Sequence, residues 1–317
     1  LSLSPGINFF FGSNGSGKTS ILESVFIFSS GKSFKSSNLT SLINYDNDKF
    51  TLKGFDNKKG YIVEIEKSKN KTISISLNNN KTNTSKLVKE FPCTPIHNNT
   101  FSFADASPDF RRKLVDRSIF IAEDNFSKVW FSFYRSLRQR NFLLKNARIS
   151  DIYSWNTKLA DEAEKLTKYR KAFFEKTLNE FYLLINLLKP EDVFDFFNLI
   201  KIEFSQGWSS EKSYLDVLNE NKDIDIKRRS TTSGPHKSDI KFFINDIDAR
   251  QILSRGEQKF FSIIWSCAQH EVLKKYYKID ATLLIDDIKS ELDERVFKLF
   301  SDLLNHINTQ VIFSCID

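Results

Sequence analysis

A chain of 317 residues, 40% of them apolar, is long enough for two domains or for one large domain with an insertion, and it can bury a sizeable core. No window is apolar for the length of a bilayer span and no signal peptide opens the chain, which excludes a membrane role and leads us to expect a cytoplasmic protein. A net charge of +7 permits a nucleic-acid partner, but a surplus spread so thinly does not require one.

Cys93, Cys267 and Cys315 are scattered, odd in number and without metal-ligand spacing, so they read as buried thiols of a reducing compartment. The abundance of Phe, Asn, Lys and Ile reflects the base composition of the coding sequence rather than chemistry. Methionine is absent even at position 1, which suggests that part of the gene product is missing from the sequence.

In chain order, a β-rich run from Ile7 to Phe11 empties into GSNGSGKTS, and a helix with Ile21, Leu22, Val25 and Phe28 at helical spacing follows. This is the order of a G-x-x-x-x-G-K-[ST] loop. Gly12, Gly15 and Gly17, with Ser13, Asn14, Ser16 and Ser20 between and after them, let backbone N–H groups ring a polyphosphate above a helix N-terminus. Lys18 is placed to neutralise the β- and γ-phosphates, and the Thr19 hydroxyl to ligate Mg²⁺.

Three alternating runs, Lys49 to Phe55, Gly60 to Ser68 and Lys71 to Asn79, predict an antiparallel meander, with a loop over Asn78 to Asn83. From Ser107 the period changes to that of a helix: one starts at Ser107-Pro108, a second runs from Glu123 to Asn146, and a third from about Ser150 to Leu188. The long pair reads as a short antiparallel arm, or as part of a plain helical bundle. Strands are expected over Phe197–Ser205 and Asp239–Asn245, and a helix over Ser209–Asn221. Another helix starts near Arg255, then come the continuous apolar strand Ala281–Asp287, a helix over Glu294–Ile307 and a last strand, QVIFSC.

The strand LLIDD has the form of one that lies beside the phosphate loop and presents an acid there. Asp286 would hold Mg²⁺ through water, and Asp287 could polarise an attacking water, both serving a phosphoryl-transfer site that works by positioning and charge neutralisation. LSRGEQ, Leu253 to Gln258, offers the Ser254 hydroxyl and the backbone at Arg255 and Gly256 at a helix start. Alone it is a capped helix. With the other two motifs it resembles the signature sequence of ABC-type ATPases, and SELDE, Ser290 to Glu294, resembles their D-loop. The resemblance makes Ser254, Arg255, Gly256 and Gln258 nucleotide contacts, covering the γ-phosphate bound by another subunit in an ATP-held homodimer.

GSNGSGKTSILESV with GKSFKS, SPDFRRKLVD, WFSFYRSLRQRNFLLK, GPHKSD and LSRGEQK with LLIDDIKSELDE stand in the order and approximate spacing of the RecF family of bacterial DNA replication and repair proteins. The resemblance covers nearly the whole chain. It implies an α/β fold: an ABC-type, SMC/Rad50 head-like P-loop ATPase with an antiparallel β subdomain and a helical arm, lobe II. The head would comprise 1–106 and 230–317 and the arm 107–229. By the same resemblance, ATP drives dimerisation on duplex DNA near single-strand gaps, slow hydrolysis stimulated by DNA releases it, and RecR and RecO are partners in recombinational repair and replication restart. Where the family shows Pro–Glu ahead of the RR helix, this chain has Ile96, His97, Asn98 and Asn99; His97 is then a surface histidine or a nucleotide contact. His236 either contacts the nucleotide or secures a turn. The chain opens at what looks like the family's second strand and stops just after the strand expected to carry the switch residue.

Arg111, Arg112, Arg135, Arg138, Arg140 and Lys145 gather positive charge on the arm helices, and Arg135, Arg138 and Lys145 fall near one face, suited to DNA phosphates rather than bases. Other readings are an ABC transporter motor, another SMC/Rad50-like repair ATPase, and a scaffold switched by ATP without hydrolysis.

Overall fold

The computed structural model describes residues 1–36, 38–97, 100, 103–189, 195–288 and 292–315. They form two compact units, Leu1–Phe101 with Leu273–Asp317, and Ser102–Val272.

The first unit is built on four parallel strands, β1 (Ile7–Phe11), β6 (Cys93–Ile96), β10 (Thr282–Asp286) and β11 (Val311–Cys315), in the order β1-β11-β10-β6. All five residues of β11 are buried, as are Leu283, Leu284 and Ile285 of β10, the mark of strands covered on both faces. The meander is present as β2 (Lys49–Asp56), β3 (Tyr61–Ser68) and β4 (Ser74–Leu77), and β5 (Asn80–Lys81) extends it within the expected loop. Helix α1 (Lys18–Ser30) serves both sheets: Leu22 and Phe26 pack with Cys93, Leu284 and Ile312, while Ile27 packs with Val63, Ile65, Ile75 and Leu77. Asn83 caps a further short helix, α2 (Thr84–Glu90), and Asp293 caps α10 (Glu294–His306).

The second unit is mainly helical: α3 (Pro108–Ala122), α4 (Phe126–Lys145), α5 (Ile152–Leu188), α6 (Tyr214–Glu220) and α7 (Lys222–Arg228). An antiparallel sheet, β7 (Ile200–Ser205), β8 (Asp239–Ile244) and β9 (Ile247–Asp248), joins α8 (Ala249–Ile252) and α9 (Arg255–Tyr277) to them. Ser107 accepts from the Phe110 N–H ahead of Pro108, the predicted helix start. The boundary falls elsewhere than the expected 229/230. Residues 230–272 belong with the helices because β8 pairs along β7 from Ile200↔Ile244 to Ser205↔Asp239. The buried Trp265 of α9 also stacks on Phe103 and meets Phe174, Phe181 and Phe242. A buried ring of that size is worth about 2–3 kcal/mol of hydrophobic stabilisation, so this cluster fixes α9 to the sheet and to α5.

Candidate functional site

Residues 12–17 turn β1 into α1 through three left-handed glycines, Gly12 (φ 153), Gly15 (φ 79) and Gly17 (φ 90). At Gly15 and Gly17 an added Cβ would meet nothing, so it is the backbone conformation and not crowding that calls for glycine. Gly17 occupies the N-cap of α1 and supplies no side chain to its first N–H groups. With no acidic residue in the first turn, the positive end of α1 faces out through the loop. Lys18 Nζ donates to the carbonyls of Gly12 and Ser13, the latter at 2.8 Å, so the cation is held over the loop by the loop itself. Ser13, Asn14, Gly15, Ser16 and Ser20 are exposed, and Thr19 is half-buried at the first turn. Left-handed glycines, an uncapped helix N-terminus and an ammonium are elements from which a polyphosphate site can be built.

Asp286 ends β10. The register pairs Phe10 with Ser314 and Ser314 with Asp286, so β10 does not lie directly beside β1 as the sequence suggested; β11 runs between them. Two strand spacings put Asp286 roughly 10 Å from the start of the phosphate loop, and both stand at the carboxyl ends of parallel strands, where open α/β sheets bind ligands. Sequence reasoning missed Ser314. This buried hydroxyl donates to Asp286 Oδ1 at 2.7 Å, and the Asp287 N–H reaches Ser314 O at 3.2 Å and Oγ at 3.1 Å. Asp287 is half-buried with φ 50, a left-handed conformation that Asp tolerates better than most residues and that turns the chain off the strand. Among the described residues no three His, Cys, Asp or Glu side chains group closely enough to hold a metal.

In the second unit, Ser254, Arg255 and Gly256 are exposed at the start of α9. The Ser254 N–H donates to Glu257 Oε2 at 2.6 Å, and the Glu257 N–H to Ser254 Oγ at 3.4 Å, a reciprocal capping box. Gln258 Nε2 donates to Leu253 O at 2.9 Å and steadies the same turn. Ser290 and Glu291 of the D-loop, and Asn98 and Asn99, lie outside the described residues. His97 stacks on Phe34 with ring centroids 4.9 Å apart. His236 secures a turn: its Nε2 meets Thr231 O at 3.0 Å, and burial pushes its pKa down to about 4.

Three of the expected DNA contacts are corrected by the structure. Arg111 is buried and grips Asp239 through Nε at 2.8 Å and Nη2 at 2.7 Å. Arg112 donates to Ser238 O at 2.6 Å, with its side chain 13% exposed. Arg140 is fully buried, with Asp225 and Thr231 each 2.7 Å from Nη1 and Asn156 at 2.8 Å from Nε. Arg170, not singled out from the sequence, binds Asp116 through two 2.8 Å bonds and also donates to Pro235 O and Ser238 Oγ. The segments RRKLVD, RQRN and GPHKSD thus meet in one buried polar network, whose arginines tie α3, α4 and α5 to the 231–239 loop. Arg135, Arg138 and Lys145 are exposed.

A parallel sheet with a glycine phosphate loop, an acid-tipped strand one strand removed from it, an antiparallel subdomain and a helical second unit define an ABC-type, SMC/Rad50 head-like P-loop fold. A family model described as "RecF/RecN/SMC N terminal domain" matches residues 1–317. The DNA replication and repair protein RecF of Shewanella baltica is 32% identical over 323 residues, 99% of this chain and 86% of that protein. The RecF of Mannheimia succiniciproducens is 33% identical over 321 residues, 100% of this chain and 88% of its own. A solved structure of the recombination mediator protein RecF-ATP superposes with a TM-score of 0.84 at 22% identity, over 100% of this chain and 87% of that one. An Smc head bound to the C-winged helix domain of ScpA gives 0.56 at 16% identity, over 100% and 84%. The chain belongs to the RecF family.

Proposed function

We propose that this protein is an ATP-dependent DNA-binding protein of recombinational repair and replication restart, acting in the cytoplasm. The observation that carries the reading is the phosphate loop of left-handed glycines at the uncapped end of α1, two strands from the Ser314-anchored Asp286. ATP sits with its phosphates on Gly12 to Ser20, and Lys18 leaves its loop carbonyls for the β- and γ-phosphates. Thr19 and, through water, Asp286 would hold Mg²⁺, which would supply neutralisation of the charge that develops in phosphoryl transfer. Asp287 orients the attacking water.

Ser254, Arg255, Gly256 and Gln258 of a second copy close the site over the γ-phosphate, so ATP holds a homodimer together. Hydrolysis is slow, stimulated by DNA, and releases the dimer from duplex DNA beside single-strand gaps. Arg135, Arg138 and Lys145 contact phosphates. The relatives carry the name of a DNA replication and repair protein, and a structural neighbour is titled as a mediator in the RecFOR pathway, which supports RecR and RecO as partners. Light scattering on the purified protein tests the reading: dimer with ATP and Mg²⁺, monomer without. A monomer under both conditions rejects it.

A further inference from the structure

Arg138, Asn141 and Lys145 recur along α4 at helical spacing and so lie in one row on its surface. The middle residue fixes what runs beside that row. Asn141 Oδ1 accepts both the N–H and the hydroxyl of Thr231 at 2.8 Å, so Arg138 and Lys145 flank the segment that follows α7.

That segment closes α7 on a left-handed residue, as Lys189 closes α5. Arg229 has φ 52, its N–H donates to Ile226 O at 3.2 Å, and the Ser230 N–H donates to Asp225 O at 3.1 Å. This closure normally places glycine at the left-handed position. An arginine there bears roughly 1–2 kcal/mol of backbone strain. The turn is anchored from below, because Asp225 is buried against Arg140 and Ile226 packs on Leu143 and Leu144 of α4. Lys237 joins from the other side through the contact of its neighbour His236 with Thr231 O.

Arg138, Lys145, Arg228, Arg229 and Lys237 are all exposed. Among the described residues none of the five pairs with a carboxylate, whereas Arg111, Arg140 and Arg170 of the same unit all do. The carboxylates of α7 sit elsewhere, Asp223 in its first turn and Asp225 under Arg140.

We propose that this anchored cluster is a binding site for the phosphodiester backbone of duplex DNA, with Arg229 as its central contact and Asn141 and Thr231 as positioning residues. The inference rests on the DNA-binding reading above and adds residues 228–237 to it. Exposed cations on a turn whose backbone is already fixed bind phosphates without first paying to order a loop. Asn141, the one amide in the row, commits its oxygen to Thr231, so the row meets a duplex chiefly through positive charge.

Fluorescence anisotropy of a labelled duplex, with the full chain in ATP and Mg²⁺ over a salt series, tests this. Arg229→Gly installs the residue that the turn prefers, so its thermal stability should equal or exceed that of wild type. Its affinity should nevertheless fall about three- to tenfold, with the slope of log K against log salt shallower by about 0.9. Arg229→Lys, strained but charged, should recover most of the affinity, and Lys171→Ala on the exposed side of α5 should bind like wild type. Unchanged affinity and slope in Arg229→Gly, or an equal loss in Lys171→Ala, overturns the site while leaving the DNA reading in place. A wild-type protein that binds no duplex overturns both.

Discussion

The Ser314 hydroxyl donates to Asp286 Oδ1 at 2.7 Å, and the same residue's oxygens accept the Asp287 N–H. One buried serine on β11 therefore orients the acid proposed to hold Mg²⁺ and the backbone of the acid proposed to direct water. A hydrogen bond to a carboxylate contributes about 1.5–3 kcal/mol, enough for roughly a tenfold change in metal binding. Ser314→Ala should thus raise the Mg²⁺ concentration for half-maximal ATP hydrolysis about tenfold. A Mg²⁺ titration identical to wild type would remove Ser314 from the site.

Among the described residues the Lys18 ammonium bonds only to the carbonyls of its own loop. Lys18→Ala should therefore abolish ATP-dependent dimerisation while thermal unfolding and circular dichroism stay as in wild type. Dimers that still form with ATP would contradict the assignment of the loop.

The two-subunit arrangement predicts complementation between defective chains. Lys18→Ala and Ser254→Arg homodimers should each be inactive, but mixed dimers gather both lesions into one site and leave the other whole. Random mixing should restore about a quarter of wild-type ATPase activity, as half the dimers then carry one good site. Ser254→Arg also loses the Ser254 half of a capping box, worth roughly 1 kcal/mol, so its melting temperature is checked alongside. With mixed dimers confirmed to form, activity no higher than that of the separate variants excludes a shared site.

Buried and exposed arginines should separate cleanly. Arg170→Ala strands Asp116 in the interior and should destabilise the protein by about 3–5 kcal/mol in urea unfolding. Arg135→Ala should change stability by less than about 0.5 kcal/mol, while making the salt slope of duplex binding shallower by about 0.9. Arg135→Ala with an undiminished slope would remove that residue from the DNA face.

His236 makes stability depend on pH. Its ordinary value of 6.5 is lowered to about 4, first by burial and then by the nearby Lys237 and Arg112 cations, against the pull of the Thr231 carbonyl. The unfolded chain thus binds a proton near pH 6.5 that the folded chain refuses until about pH 4. The stabilisation is complete above the unfolded value and is lost as pH falls towards the folded one, about 2 kcal/mol of it between pH 7 and 5. His236→Gln should flatten that part of the urea-unfolding profile. An equally steep loss in the variant would assign the acid sensitivity to other groups.

The phosphate loop, α3, α5, β8, β10 and β11 were legible because each has a strong local signal: glycine spacing, a Ser-Pro start, a long helical period or a continuous apolar run. Strand β6 was not. Its four residues include Pro95, tolerated because among the described residues β6 is an edge strand paired only with β10, and no alternation marks so short a segment. Helices α2 and α7, at seven residues each, span barely two turns and were not legible, although α6 of the same length was. The arginines failed for another reason, since a guanidinium reads the same whether water or a carboxylate satisfies it. Arg170 did leave a trace, standing between Leu166 and Phe173 on the apolar side of α5, where a charged residue demands a partner.

The interleaving of β1 and β6 with β10 and β11 has a consequence for biogenesis. Residues 102–272 are contiguous and can complete their core as they leave the ribosome, whereas β1 and β6 have no parallel neighbours until the last strands emerge. The phosphate loop is therefore translated well before the strands that complete its sheet. During that interval β1 lacks its partner strand, and a product truncated before β11 should fail to build the four-stranded sheet that presents the loop.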